Sequence, residues 1–259
     1  MARRRIDDQE NTMRLGLPDA IAATLFDLDG VLTDTAAVHE RAWRQVFDEF
    51  LEARCGAGFQ PFSARDYQEY VDGRPRSDGV REFLRARNIA VPEGKPDDSA
   101  TESTVHGIGN RKNELLLSLI ERDGVHVYPG TVEYLSAVRD AGLRIAVVSS
   151  SANAEAVLAA ADLARFVEVR IDGKSFAAQG LRGKPAPDGF LTAADELGVR
   201  PDAAAVFEDA VAGVAAGRGG DFGYVVGVER TGTPAHAEAL RRAGADVIVG
   251  ALADLGGTR

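Results

Sequence analysis

The segment AIAATLFDLDG, Ala20 to Gly30, decides the fold. Ala20 to Leu28 is a short apolar run with no helical stripe, the pattern of a strand buried on both faces of a parallel sheet. It breaks off at Asp27-Leu28-Asp29-Gly30, so acids stand where the strand ends. Comparable runs recur at Leu143 to Val148, Ala204 to Phe207, Tyr224 to Val228 and Asp246 to Val249. Between them Val132, Leu135, Val138 and Ala141 repeat every three residues. Ala154, Leu158 and Ala161 behave similarly, as do Phe190, Ala194 and Leu197. Strand alternating with helix predicts an α/β fold, a Rossmann-like parallel sheet flanked by helices with right-handed crossovers.

The stretch from Ala36 to Gly124 breaks this rhythm. Val38, Ala42, Val46 and Phe50 lie four apart, with Trp43, Phe47 and Leu51 beside them, giving a wide apolar helical stripe. Val80, Phe83, Leu84 and Arg87 predict a short helix, and Leu115, Leu116, Leu119 and Ile120 another. The polar Val91 to Thr104, with two prolines, reads as a loop. The expected organisation is a mobile polar tail over 1–16, a core from 17–35 and 125–259, and an inserted α-helical cap domain over 36–124. The chain has 259 residues, about 1.7 domains at roughly 150 residues each, which accommodates a core and a cap.

Composition narrows the function. Lys and Arg number 30 against 40 Asp and Glu, a net charge of −10. Such a chain has no general attraction for phosphate backbones or anionic lipid, so neither nucleic acid nor membrane is an expected partner. No apolar run approaches the ~18 residues of a membrane span. Arg3-Arg4-Arg5 is followed by Ile6-Asp7-Asp8 where an apolar segment should stand, so a secretory leader is not expected. The one cysteine, Cys55, excludes an internal disulfide framework and a multi-cysteine zinc site. The expected location is cytoplasmic, and the default state a monomer.

Several motifs fail on inspection. His39-Glu40 begins like a zinc-protease helix, but Trp43 stands in the second histidine position. Gly183-Lys184 is followed by Pro185, which excludes a P-loop, and Val31 spoils a calcium loop. What remains is a set of acids at strand ends. Asp27 and Asp29, two apart, are expected on one side of an extended segment, where open α/β sheets bind ligands. Paired carboxylates there repel each other and need a cation. Glu208-Asp209 follows another apolar run and reads either as an ordinary helix-starting pair or, with Asp27 and Asp29 at a neighbouring strand end, as part of a four-acid site for one hard cation such as Mg²⁺. Ser149-Ser150-Ser151 reads either as a polar turn with a helix cap or as an anion site. Lys184 reads either as a solvated loop lysine or as a site cation.

In order along the chain, FDLDGVLTDT (Phe26 to Thr35), VVSSSAN (Val147 to Asn153), GKPAPD (Gly183 to Asp188) and FEDAVAG (Phe207 to Gly213) resemble the four motifs of the haloacid dehalogenase superfamily. The resemblance covers nearly everything from residue 20 onward. Within the superfamily the chain looks most like the β-phosphoglucomutases. His39, Arg41, Ala42 and Trp43 resemble that family's H-x-R-A-W segment, Gly73 to Asp78 its cap loop, and Arg111-Lys112-Asn113 its substrate-facing R-K-N. Ala152 and Ser150 depart from the family's usual Lys and Ala, and 91–104 is extra cap length.

The resemblance implies an isomerase that interconverts β-glucose 1-phosphate and glucose 6-phosphate through a bisphosphate, in carbohydrate metabolism. Its partner is a small phosphorylated sugar, and the enzyme is transiently a phosphoprotein. Asp27 is the implied nucleophile and Asp29 the general acid/base. Mg²⁺ is implied on Asp27, the Asp29 backbone carbonyl, Glu208 and Asp209. Ser149 and Lys184 are implied on the transferring phosphate, and Arg76 on the distal one. Lys112 and Asn153 are implied contacts to sugar or phosphate, with Ser150, Gly73 and Trp43 lining the substrate site. Trp43 reads equally as helix core. Thr35 and His39 are implied to couple cap closure to Asp29. A phosphatase of a small phosphorylated sugar is the alternative, and a non-catalytic phosphosugar-binding protein a third reading.

Overall fold

The computed structural model describes residues 15–56 and 58–257. The polar tail expected over 1–16 therefore lies almost wholly outside the described residues. The chain forms two compact units. One comprises the described residues up to Asp34 together with those from His126 onward, and the other is Thr35–Val125.

The first unit is built on six parallel strands: β1 Ala23–Phe26, β2 Arg144–Val148, β3 Val169–Ile171, β4 Ala204–Glu208, β5 Tyr224–Val228 and β6 Val247–Val249. Their order is β3-β2-β1-β4-β5-β6. β1 is central, pairing Phe26 with Val147 on one side and with Phe207 on the other. All four residues of β1 and all five of β4 are buried, which is why they read as unbroken apolar runs rather than alternating ones. Helices cover the sheet, and Leu25, Ala146, Val148, Phe190, Val206 and Val214 belong to one apolar cluster. Phe26 stacks on Phe207 at 4.4 Å, and Tyr134 closes on both edge-on.

β3 is absent from the sequence reading. It has three residues, with Arg170 exposed between two buried neighbours, too short for a periodicity to register. β1 is also shorter than Ala20–Leu28 suggests, because pairing stops at Phe26 and the backbone turns.

The second unit is helical. Its main helices are Ala36–Cys55, Arg76–Ala86 and Val105–Asp123. Trp43, Phe47, Phe62, Val80, Phe83 and Ile108 form its core. The loop before the last helix is anchored rather than loose. Arg111 donates to the Ala100 carbonyl at 2.6 Å, Asn110 to those of Pro96 and Asp98, and Arg81 grips Glu93. Thr104 caps the helix by accepting from the Gly107 N–H at 2.9 Å. Arg111 is thus engaged by the extra loop. Among the described residues no helix is long and apolar enough to cross a membrane.

Candidate active site

The strand order reverses at β1, with β2 and β3 on one side and β4 to β6 on the other. The crevice outside the carboxyl ends of β1 and β4 is the binding position this topology creates. Asp27 follows β1 directly, Glu208 ends β4, and Asp209 comes next. Among the described residues these three buried acids each offer a carboxylate oxygen, all within 4.8 Å of one another.

Two glycines make that convergence possible. Gly30 has φ +99°, and a Cβ there would sit 1.8 Å from Asp209 Oδ2. At Gly213 a Cβ would lie 2.0 Å from Glu208 Cδ. Gly→Ala inside a helix ordinarily stabilises by about 0.5–1 kcal/mol. At Gly213 the sign should reverse. Gly213→Ala is expected to lower stability by about 1–3 kcal/mol, as overpacking does. It should also raise the Mg²⁺ concentration needed for half-activation. Thermal denaturation and a Mg²⁺ titration of activity check both.

Lys184 reaches into the same place from the turn before the helix Asp188–Glu196. Its Nζ donates to Asp27 Oδ1 at 2.5 Å, to Glu208 Oε2 at 2.7 Å and to the Val148 carbonyl at 3.2 Å. The lysine is 3% exposed, so this is an interior ion network and not a solvated loop residue. Burial works to lower the Lys184 pKa, but Asp27 and Glu208 outweigh it and hold the ammonium charged. Burial lifts the Asp27 carboxyl well above the ordinary aspartate range, and the neighbouring Glu208 adds to the lift, with Lys184 opposing both. One ammonium offsets only part of the charge of three carboxylates. The surplus, on oxygen donors alone, fits a hard divalent cation such as Mg²⁺.

Asp29 sits in the turn past β1, where Leu32 and Thr33 both donate backbone N–H to the Leu28 carbonyl. Asp29 is near enough for its charge to add to the lift of the Asp27 carboxyl. Its carboxylate accepts from Ser149 Oγ at 3.2 Å, tying the end of β2 to the loop after β1. Ser149 Oγ in turn accepts from the Ser151 N–H, and Ser151 Oγ from the Asn153 N–H. The turn thus satisfies two of its own donors, and the helix beyond it, Ala154–Ala160, is short. Ser150 and Asn153 lie partly exposed in this turn.

The remaining expected residues belong to the helical unit. Lys112 Nζ lies 3.0 Å from His39 Nδ1 and 5.1 Å from the Trp43 ring centroid. Trp43 is itself buried and stacks on Phe47 at 5.0 Å, so it is helix core that also presents its face to a cation. Arg76 opens the helix Arg76–Ala86 and runs along Gly109, where a Cβ would approach its Cγ to 3.2 Å. Gly73, φ +71°, makes the turn before it. Thr35 is buried immediately ahead of the helix Ala36–Cys55, and its carbonyl accepts the His39 N–H. Within its unit, the sequence reading brings together Asp27, Asp29, Ser149, Lys184, Glu208 and Asp209. It overlooks Gly30 and Gly213 as steric requirements, although both stand in the quoted motifs.

A family model for haloacid dehalogenase-like hydrolases matches residues 21–221. A β-phosphoglucomutase of Mycobacterium bovis is 56% identical over 245 residues, 93% of this chain and 94% of that protein. The crystal structure of a β-phosphoglucomutase from Clostridium difficile superposes with a TM-score of 0.71 at 27% identity, covering 91% of this chain and 93% of that one. CbbY from Rhodobacter sphaeroides, in complex with xylulose-1,5-bisphosphate, gives a TM-score of 0.69 at 26% identity, covering 91% and 96%. With four acids, a serine and a lysine gathered at the switch point of a parallel sheet, the chain belongs to the haloacid dehalogenase-like family and, within it, to the β-phosphoglucomutases.

Proposed function

We propose that the chain is a Mg²⁺-dependent β-phosphoglucomutase, interconverting β-glucose 1-phosphate and glucose 6-phosphate. The observation that carries this reading is Lys184, buried between Asp27 and Glu208 with Asp209 alongside. That arrangement sets a buried carboxylate nucleophile against an ammonium and a cation site, whose positive charge opposes the burial that favours its neutral form, which is what phosphoryl transfer requires.

Asp27, Glu208 and Asp209, with the Asp29 carbonyl, would hold Mg²⁺, which supplies charge neutralisation at the phosphoryl oxygens. An Asp27 oxygen attacks the phosphorus of the sugar bisphosphate, and the bond from phosphorus to the sugar oxygen breaks. Asp29 gives its proton to that departing oxygen. In the other direction a sugar hydroxyl gives its proton to Asp29 and attacks the aspartyl phosphate, releasing Asp27. Ser149 orients Asp29 through the hydrogen bond already described, and by turning that same hydroxyl to the substrate it would bind a phosphoryl oxygen in place of Asp29. Lys184 offsets the charge on the transferring group.

We assign Arg76 and Lys112 to the phosphate not being transferred, as a guanidinium fork and an ammonium suit it. Trp43 supports the Lys112 charge. His39, Thr35, Gly73, Ser150 and Asn153 complete the substrate-binding set. A coupled assay tests the reading, with β-glucose 1-phosphate, Mg²⁺ and a trace of β-glucose 1,6-bisphosphate. The expected product is glucose 6-phosphate. Inorganic phosphate in its place would make the enzyme a phosphatase and overturn the reading.

A further inference from the structure

Arg230 takes part in none of these steps, yet it is bonded to the loop that does. It lies two residues past β5, in a turn braced by Glu229. That carboxylate accepts from the Thr231 and Gly232 N–H groups at 2.8 and 2.9 Å. From this platform the guanidinium donates to three backbone carbonyls. Nε reaches Gly30 at 2.6 Å, one terminal nitrogen reaches Val31 at 3.1 Å, and the other reaches Gly250 at 2.8 Å. Its central carbon lies 3.6 Å from the centroid of the Tyr128 ring. The Tyr128 hydroxyl donates to Asp34 at 3.0 Å, and its N–H to the Leu32 carbonyl.

All three acceptors are neutral, so an ion pair does not explain the contact. A planar fork of fixed geometry does, because it holds two consecutive peptide planes at set angles. Those planes follow Asp29 directly. They also include the residue whose missing Cβ leaves room for the Asp209 carboxylate. A shift of Gly30 thus moves the acid/base and crowds a carboxylate of the cation site together.

We infer that Arg230 is a positioning residue for phosphoryl transfer: its fork on the Gly30 and Val31 carbonyls fixes the loop that aims Asp29 and admits Asp209. This rests on the mutase reading above. Arg230→Met removes the fork, and Arg230→Lys keeps the charge without the geometry. Arg218→Met is the matched control. Arg218 also donates to a backbone carbonyl, that of Gly244, but pairs with Asp246.

Two measurements decide it. The first is the Mg²⁺ concentration at half-maximal thermal shift of the sugar-free protein. It should rise about tenfold in both Arg230 variants and stay within twofold in Arg218→Met. The second is turnover per folded molecule. Here kcat should fall about tenfold or more, as small misplacements of reacting groups do, while KM for β-glucose 1-phosphate changes less than threefold. If Arg230→Met does not fold, Arg230→Lys is read by the same two criteria. Arg230 variants that lose only melting temperature, as the control does, would overturn the inference. A wild-type protein that responds to Mg²⁺ but makes no glucose 6-phosphate would sink the mutase reading instead, and the Mg²⁺ midpoints would still judge Arg230.

Discussion

Lys184→Met is expected to lower turnover by about a thousandfold, the scale of a deleted electrostatic stabiliser. It should also lower the stability of the Mg²⁺-free protein by about 3–5 kcal/mol, the typical loss when one partner of a buried ion pair is removed. Lys184 is fully enclosed and holds Asp27 and Glu208 at once. Methionine fills similar volume, so the loss would come from two buried carboxylates left facing each other and not from a cavity. The loss should be non-additive. Adding Asp27→Asn to Lys184→Met removes one of the stranded charges and should restore part of the stability. Urea denaturation of the single and double variants, followed by circular dichroism, measures this. Simple addition of the two effects would show that the three groups are not one network.

Asp27→Asn alone should behave in the opposite way. Removing the nucleophile is expected to cut turnover by about 10⁵-fold or more. The Mg²⁺-free protein should nevertheless melt no lower than wild type at neutral pH. Burial and Glu208 together raise the Asp27 pKa well above its ordinary 3.8 despite Lys184, so the fold disfavours the charged carboxylate. The folded state therefore binds this proton more tightly than the unfolded state does. The destabilisation is fully present above the folded pKa, shrinks as pH falls below it, and is gone below the unfolded carboxyl's ordinary 3.8. The substituted amide carries no such charge. The melting-temperature advantage of Asp27→Asn should be largest at neutral and alkaline pH and vanish on acidification. An advantage that grew with acid would contradict the raised pKa. The site thus holds a nucleophile that its surroundings destabilise, a common stability–function trade-off.

Five of the six strands and the three main helices of the inserted unit are legible in the sequence, because a strand buried on both faces and a helix packed on one side each impose a period. β3 has neither the length nor the apolar continuity to be seen. The carboxylates at the ends of β1 and β4 are legible for the same reason, since each follows directly on an apolar run. Asp29 illustrates the limit. Its hydrogen bond to Ser149 joins residues 120 positions apart, and such a pairing has no spacing signature in the sequence. Arg230 lies further still beyond reach. A single arginine after a strand has no spacing signature, and its bonds to Gly30 and Val31 cross about 200 positions of chain. Lys184 is ambiguous in the sequence for a related reason, because burial between two acids is a property of the packed core alone.

The central strand β1 is the first of the six in sequence, yet its two neighbours are drawn from residues 144–148 and 204–208. During synthesis the ribosome therefore releases β1 long before either neighbour exists. The helical unit, continuous from Thr35 to Val125, is complete first and can fold on the nascent chain. β1 must meanwhile wait with its N–H and C=O groups open until β2 and then β4 emerge. Pairings this distant in sequence are slow to form. Glu208 and Asp209 are the last of the site residues to be made, so the cation site is assembled only after the whole stretch from Asp27 to Asp209 has been translated. A ribosome-stalled chain ending before β2 should show a protease-resistant helical unit and an unprotected β1.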